Sequence, residues 1–163
     1  MYCFNPLFLV FLFYTYTGIA QPAFSNKNFQ GEVLPKVFLI GEYEKPFEEM
    51  SSNYSTLLLN NYQDDLDKAF NGWTSVLVGM EDYANTISFD LKGLKLWVNI
   101  FFNVDGSIQH LVYYPKPNSK NMDFELLTNF FISFCNTYRF KDPISKKCSH
   151  IGSASFPTFS KRN

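Results

Sequence analysis

The chain has 163 residues, of which 19% are aromatic, and its 14 basic and 15 acidic side chains give a formal net charge of −1. This length suits one domain with its own hydrophobic core and is short for two. A charge so close to zero lacks the basic excess of proteins that bind nucleic acids or anionic membrane surfaces. We therefore expect no nucleic-acid partner.

The first twenty residues are typical of a secretory signal peptide. Residues 4–20 contain no charged side chain, their middle is strongly apolar, and small residues stand at positions 18 and 20, just before a plausible cleavage site after Ala20. A membrane anchor is the alternative, but polar and small side chains at 15–18 interrupt the run before the roughly 20 apolar residues that a span needs. The sequence therefore predicts an exported protein, periplasmic or secreted after cleavage near Ala20, with no membrane anchor in residues 21–163.

The sequence predicts that residues 21–62 form a mostly irregular segment, here called the lead-in, which packs on the rest of a single domain. Residues 21–36 show no hydrophobic period, and residues 37–40 form a short apolar piece that favours extended structure. Pro46 suits the first turn of a short helix, because proline lacks an N–H that this position leaves unbonded. We expect that helix to end near Tyr54.

A long amphipathic helix follows and opens the α+β part of the domain, residues 63–163. Apolar residues recur there at offsets of three and four, which places them on one face of a helix. The stripe consists of Leu66, Ala69, Phe70, Trp73, Val76, Leu77, Met80, Tyr83 and Ala84. Aspartates at 64, 65 and 67 lie in the first turn, where they favour the positive end of the helix dipole and need no catalytic role.

The hydrophobic period changes to two at residue 94, which predicts a strand over 94–102 with one apolar face. The sequence Val104-Asp105-Gly106 predicts a hairpin turn in which Gly106 takes a positive φ, and a second strand over 107–114 follows. With Asn103 opposite Ser107, the buried face pairs as follows: Phe102 with Ile108, Ile100 with His110, Val98 with Val112, and Leu96 with Tyr114. The same register gives His110 an interior position.

A second amphipathic helix and a short final strand complete the predicted domain. Asn121 or Asp123 can cap the helix, and Pro157 ends the strand over 147–156. A helical return between the second and third strands allows the third strand to lie antiparallel to the first, which becomes central. We therefore predict the order helix, strand, strand, helix, strand, with an antiparallel sheet of three or more strands and two long helices on one face.

This order, together with Val104-Asp105-Gly106-Ser107-Ile108 in the turn and Asp123-Phe124-Glu125-Leu126-Leu127 at the start of the helix, resembles the C-terminal domain family of TonB over residues 94–156. Residues 116–121 and 153–159 also look like parts of short exported bacterial proteins without an assigned activity. The resemblance implies a periplasmic, non-enzymatic domain that pairs a sheet edge with a partner peptide. It carries over no individual functional residue.

Catalytic or metal chemistry has one candidate pair, Cys148 and His150. These residues are two apart on a predicted strand, so both side chains project from the same face. A small secreted enzyme or a metal-binding protein built on this pair is one alternative function, although no third group completes a catalytic or zinc set. Cys135 and Cys148 form a disulfide only if the fold brings them together, which their spacing leaves open. We predict no catalytic constellation, no resident metal and no cofactor.

A binding function has a more specific candidate, the outward face of the hairpin. The predicted register places five partner-binding residues there, namely Trp97, Asn99, Phe101, Leu111 and Tyr113. A large exposed apolar patch marks a partner site, but the 21–62 segment could instead cover this face as a second layer. We predict an exported, non-catalytic protein that binds a protein or peptide partner. A structural subunit that uses the same face in an oligomer is the further alternative.

Overall fold

The computed structural model describes residues 33–159, so the predicted signal peptide at 1–20 lies outside the described residues. Five strands and four helices make up this part of an α+β fold. In chain order they are β1 (Val37–Leu39), α1 (Glu44–Ser52), β2 (Thr56–Leu57), α2 (Leu58–Asn61), α3 (Leu66–Thr86), β3 (Lys95–Phe102), β4 (Ile108–Pro115), α4 (Phe124–Thr137) and β5 (Cys148–Ser155). Within 33–159 no helix combines the length and the apolarity that crossing a bilayer requires.

The strands form one mixed sheet in the order β1-β4-β3-β5-β2. Strand β3 is central and lies antiparallel to both β4 and β5, as the sequence predicts. The prediction of a purely antiparallel sheet is wrong, because β1 pairs parallel to β4 and β2 pairs parallel to β5. The extended piece predicted at 37–40 and the short helix predicted around Pro46 are present as β1 and α1. The predicted order lacks only β2 and α2, which precede α3. Strands of two and three residues are too short to show a hydrophobic period, so the expected lead-in contains both outer strands of the sheet.

The two long helices pack on the same face of the sheet, here called the helix face. Each begins at an aspartate whose side chain accepts a backbone N–H: Asp65 from Lys68, and Asp123 from Leu126. The buried stripe of α3 meets the sheet from Ala69 to Ala84. Leu66 and Phe70 do not join it, for they are 71% and 67% exposed.

The main core lies between these helices and the three long strands. Leu96, Val98, Ile100 and Phe102 of β3 are all fully buried against it. Helix α4 contributes Leu127, Phe130, Phe131 and Phe134. Aromatic pairs hold the helices together, including a contact of Tyr83 with Phe130 at a ring separation of 5.9 Å.

A β-bulge in β4 changes the register that the sequence predicts. Phe102 pairs with Ile108 as expected, but the next pair is Phe101 with His110, so Gln109 is the extra residue. From that point the pairing shifts by one residue: Ile100 opposes Leu111, Val98 opposes Tyr113, and Trp97 opposes Tyr114.

The shift exchanges the two faces of β4 beyond Gln109. Leu111 and Tyr113 therefore lie in the main core, whereas His110, Val112 and Tyr114 lie on the opposite face. The predicted position of His110 beside Ile100 is wrong for the same reason.

The hairpin turn supports one stability prediction. Gly106 has φ +76°, and a Cβ placed on it would lie 2.6 Å from the backbone O of Phe140. Gly41 has φ +95° but open space around it. Gly106→Ala should therefore lower the free energy of unfolding by about 2–4 kcal/mol, because a strained backbone and a steric overlap add.

Gly41→Ala is the matched control and should lower the same quantity by only about 1–2 kcal/mol, since it adds strain alone. Urea denaturation followed by circular dichroism measures both values. Equal losses in the two variants would contradict the close approach of residues 106 and 140.

Candidate functional site

The face of the sheet opposite the long helices, here called the second face, is covered over half its length. Strands β1 and β2 lie at opposite edges of the sheet, so the chain between them must cross it, and it does so on this face with α1. Phe47 of α1 packs edge-on against Phe38 and Phe101 at ring separations of 6.0 and 5.8 Å. Tyr54 also packs edge-on against Phe101, at a ring separation of 5.2 Å.

One helix is too narrow to cover the whole face. A strand of eight residues is about 27 Å long, whereas a helix with its side chains is about 10–12 Å wide. The sequence left open whether this face is exposed or is covered by the 21–62 segment. In the structure, one half of the face is covered and the other half is not. The 33–62 segment buries the half that contains Phe38, Phe101 and Val112, and no other element of residues 33–159 covers the remaining half, where Trp97 is 52% exposed.

We call the uncovered part the open half-face. Its members come from the three long strands and alternate with buried residues of the helix face. They are Lys95, Trp97 and Asn99 of β3, Tyr114 with the following Lys116, and Ile151, Ser153 and Ser155 of β5. Trp97 is 52% exposed, Tyr114 42% and Ile151 70%. Large exposed side chains grouped on one face of a sheet make this surface a candidate site for a partner.

Trp97 occupies the middle of the open half-face. It pairs with Tyr114 on one side and with Ser153 on the other. The ammonium group of Lys116 lies 3.9 Å above the Trp97 ring and donates a hydrogen bond to Ser153 Oγ. The Lys116 side chain therefore reaches from the β4 side across β3 to β5 and keeps one surface of the indole partly covered.

The structure brings together only part of the predicted partner-binding set. Trp97 and Asn99 lie on the open half-face. Phe101 lies on the second face as predicted, but α1 covers it and leaves it 4% exposed. Leu111 and Tyr113 are fully buried in the main core, so their predicted outward positions are wrong. The Tyr113 hydroxyl instead interacts with Thr128 Oγ1 of α4 at 2.7 Å.

The sequence prediction missed five residues of the open half-face: Tyr114, Lys116, Ile151, Ser153 and Ser155. A signal for the first two was present, because the inward apolar residues Ile108, Leu111 and Tyr113 are spaced by three and then by two. A spacing of three within a strand indicates an extra residue.

A second feature adjoins the open half-face, the outer edge of β5. Phe156 N donates to Leu94 O, which shows that even-numbered residues of this strand bond towards β3. The backbone groups of Ile151, Ser153 and Ser155 consequently point away from β3. Strand β2 pairs only with Cys148 and Ser149, so within residues 33–159 these outward groups have no strand beside them. An edge of this type can accept an added strand.

The candidate pair Cys148 and His150 lies on the helix face of β5, as the two-residue spacing predicts. Cys148 is fully buried, and burial raises the pKa of its thiol to about 11. His150 stacks on the Trp73 indole at a ring separation of 4.3 Å, and burial lowers its pKa. Both side chains therefore occupy packing positions on the helix face of β5, and a protonated thiol there is a poor nucleophile.

The remaining cysteine and histidine, Cys135 and His110, are buried in packing positions. Cys135 and Cys148 are both free thiols, and burial raises the pKa of Cys135 to about 12. His110 lies under the α1 half of the second face, where its Nδ1 is 2.9 Å from Pro35 O and burial lowers its pKa. Among residues 33–159, no three His, Cys, Asp or Glu side chains are grouped so that they could hold a metal ion.

Comparison with protein-family models, curated proteins and solved structures finds no match to this chain.

The buried thiols give a prediction that separates core packing from catalysis. Iodoacetamide at pH 8 should leave Cys135 and Cys148 unmodified in the folded protein and should modify both in denaturant, because the reactive thiolate is suppressed by burial. Peptide mass spectrometry measures the extent of modification at each site. Rapid alkylation of Cys148 in the folded protein would contradict this assignment and favour the enzyme alternative.

Proposed function

We propose that this chain is an exported, non-catalytic interaction protein that holds an extended segment of a partner protein on the open half-face and along the outer edge of β5. The observation that carries the proposal is the exposure of Trp97, Tyr114 and Ile151 on one face of the sheet, beside a strand edge that has no partner strand within residues 33–159. Export is supported by the signal-like sequence of residues 1–20. The sequence resemblance to the TonB C-terminal domain family favours the same edge-pairing mode.

The shape of the site favours a polypeptide segment over a small molecule. Small-molecule sites are concave and enclose most of the ligand, whereas the open half-face is the surface of a sheet. Two recesses elsewhere are lined by groups that include Glu81 with Asp90, and Tyr62 with Asp142. None of their lining residues belongs to the open half-face.

The edge and the face would act on the same ligand. A strand added beside β5 forms main-chain hydrogen bonds with the outward groups of Ile151, Ser153 and Ser155, and these supply affinity without sequence preference. Every second side chain of that strand then lies on the second face, next to Ile151 and one strand away from Trp97. Contacts on this side supply the specificity.

The side-chain part of the site can be tested with peptides selected on the purified protein from a random display library. Trp97→Ser should weaken binding of the selected peptides by roughly tenfold or more, because a central aromatic side chain dominates such contacts. Phe70→Ser is the matched control, since Phe70 is 67% exposed on α3. It should change affinity by less than about twofold, and fluorescence anisotropy measures both variants. Equal affinity of the Trp97→Ser and wild-type proteins would contradict the assignment of the open half-face.

The edge can be tested by removing one outward N–H. Ser153→Pro deletes the N–H that points away from β3 and leaves the β3 ladder intact, which proline permits in an edge strand. Ser153→Ala removes the hydroxyl that Lys116 contacts and keeps the N–H. We expect the proline variant alone to lose peptide affinity, by roughly fivefold or more. Urea denaturation establishes that both variants fold, and unchanged binding by a folded Ser153→Pro variant would exclude strand addition.

A further inference from the structure

Two lysines occupy one end of the open half-face and oppose each other across neighbouring strands. Lys116 N donates to Lys95 O at 2.9 Å, which makes the two residues a cross-strand pair. Both side chains share the face of Trp97 and Tyr114, because they continue the alternation of β3 and β4. Like charges placed directly opposite each other destabilise a sheet. Folding alone therefore does not explain this pair.

Neither lysine has an acidic partner within residues 33–159. The ion pairs there join Lys68 to Asp65 and Lys120 to Asp90. The neutral Trp97 ring and Ser153 hydroxyl are the groups that contact the Lys116 ammonium. No residue of the open half-face is acidic. This surface thus presents two positive charges on a chain whose formal net charge is −1.

The ammonium group of Lys116 lies next to the outer edge of β5. Its hydrogen bond to Ser153 Oγ places it at β5, although the residue itself follows β4. A strand added to this edge would lie about 4.8 Å from β5. A side chain on the second face of that strand, opposite Ser153, is therefore within reach of the ammonium group. Lys95 pairs with Ser155, and this pair follows the Trp97–Ser153 pair on the same face of the sheet.

We infer that the partner segment is an acidic peptide whose carboxylate side chains pair with Lys116 and Lys95. This inference rests on the proposed function and adds the chemistry of the ligand. A peptide fits better than a membrane, because membrane-binding patches typically contain about four to eight basic residues. It also fits better than single-stranded nucleic acid, which requires a longer positive groove.

Three labelled peptides of one alternating threonine–valine pattern test the inference. They carry two glutamates, two lysines or two glutamines at the same positions, and fluorescence anisotropy measures their affinity for the purified protein. At low salt the glutamate peptide should bind roughly tenfold more tightly than the glutamine peptide, and the lysine peptide most weakly. About 0.5 M NaCl should reduce this preference, because salt screens exposed charges.

The double variant Lys95→Gln/Lys116→Gln should remove the preference for glutamate and keep the affinity for the glutamine peptide. Lys141→Gln/Lys146→Gln is the matched control, because it changes the net charge equally at two exposed residues outside the open half-face. It should keep the preference. Loss of preference in both double variants would show a net-charge effect and overturn the inference.

The remaining outcomes separate this inference from the proposed function. Equal affinity for all three peptides, with binding still lost in Trp97→Ser, would overturn the acidic ligand and leave the interaction surface in place. Failure of all three peptides and of library-selected peptides to bind would overturn both. Lysine-dependent binding to phosphatidylserine vesicles or to oligothymidine, without a preference among the peptides, would reassign the surface to lipid or nucleic acid. A concentration-dependent mass in light scattering that the double lysine variant abolishes would reassign it to a second copy of the chain.

Discussion

The crossing of the sheet by α1 determines which surfaces of this protein are free. Strands β1 and β2 flank opposite edges of the sheet, so the chain between them has to traverse one face. The other face is already filled by α3 and α4. A single short helix then buries Phe38, Phe101 and Val112 and leaves the rest of the second face open. Trp97 is exposed because α1 does not extend over it.

The bulge at Gln109 is the second constraint, because it decides which side chains of β4 enter the core. With the extra residue, Leu111 and Tyr113 fill the space beneath α4, and Tyr113 reaches Thr128 with its hydroxyl group. Without it, His110 and Tyr114 would face the long helices. The bulge thereby moves Tyr114 and Lys116 beside Trp97, where an aromatic ring and an ammonium group can act on one ligand. The side chain of Asn103 donates to Gln109 Oε1 at 3.0 Å and ties the bulge to the hairpin turn.

The sequence alone is sufficient to predict those elements whose hydrophobic pattern repeats over many residues or whose ends carry a specific capping or turn residue. Helices α3 and α4 follow from their apolar stripes, the turn from Gly106, and the central position of β3 from the order of the elements. Of the two caps that the sequence offers for α4, the structure uses Asp123. The apolar run at 37–40 indicates β1, but β2 is too short to have a period, and the parallel pairing of both outer strands depends on tertiary contacts. The site was only partly predictable, because one unrecognised bulge at Gln109 inverts every later side chain of β4. Ile151 lies among serines and gives no strong signal of its own.

Hydroxyl-radical footprinting with peptide mass spectrometry tests the half-covered second face most directly. Trp97 and Phe101 are four residues apart, with Asn99 midway between them, and have side chains on the same face, so they form an internal comparison. The fold described above predicts strong oxidation of Trp97 and Tyr114 in the native protein and protection of Phe101 and Phe38. Protection of Trp97 as complete as that of Phe101 would show that another part of the molecule covers the open half-face, which would contradict the proposed interaction surface.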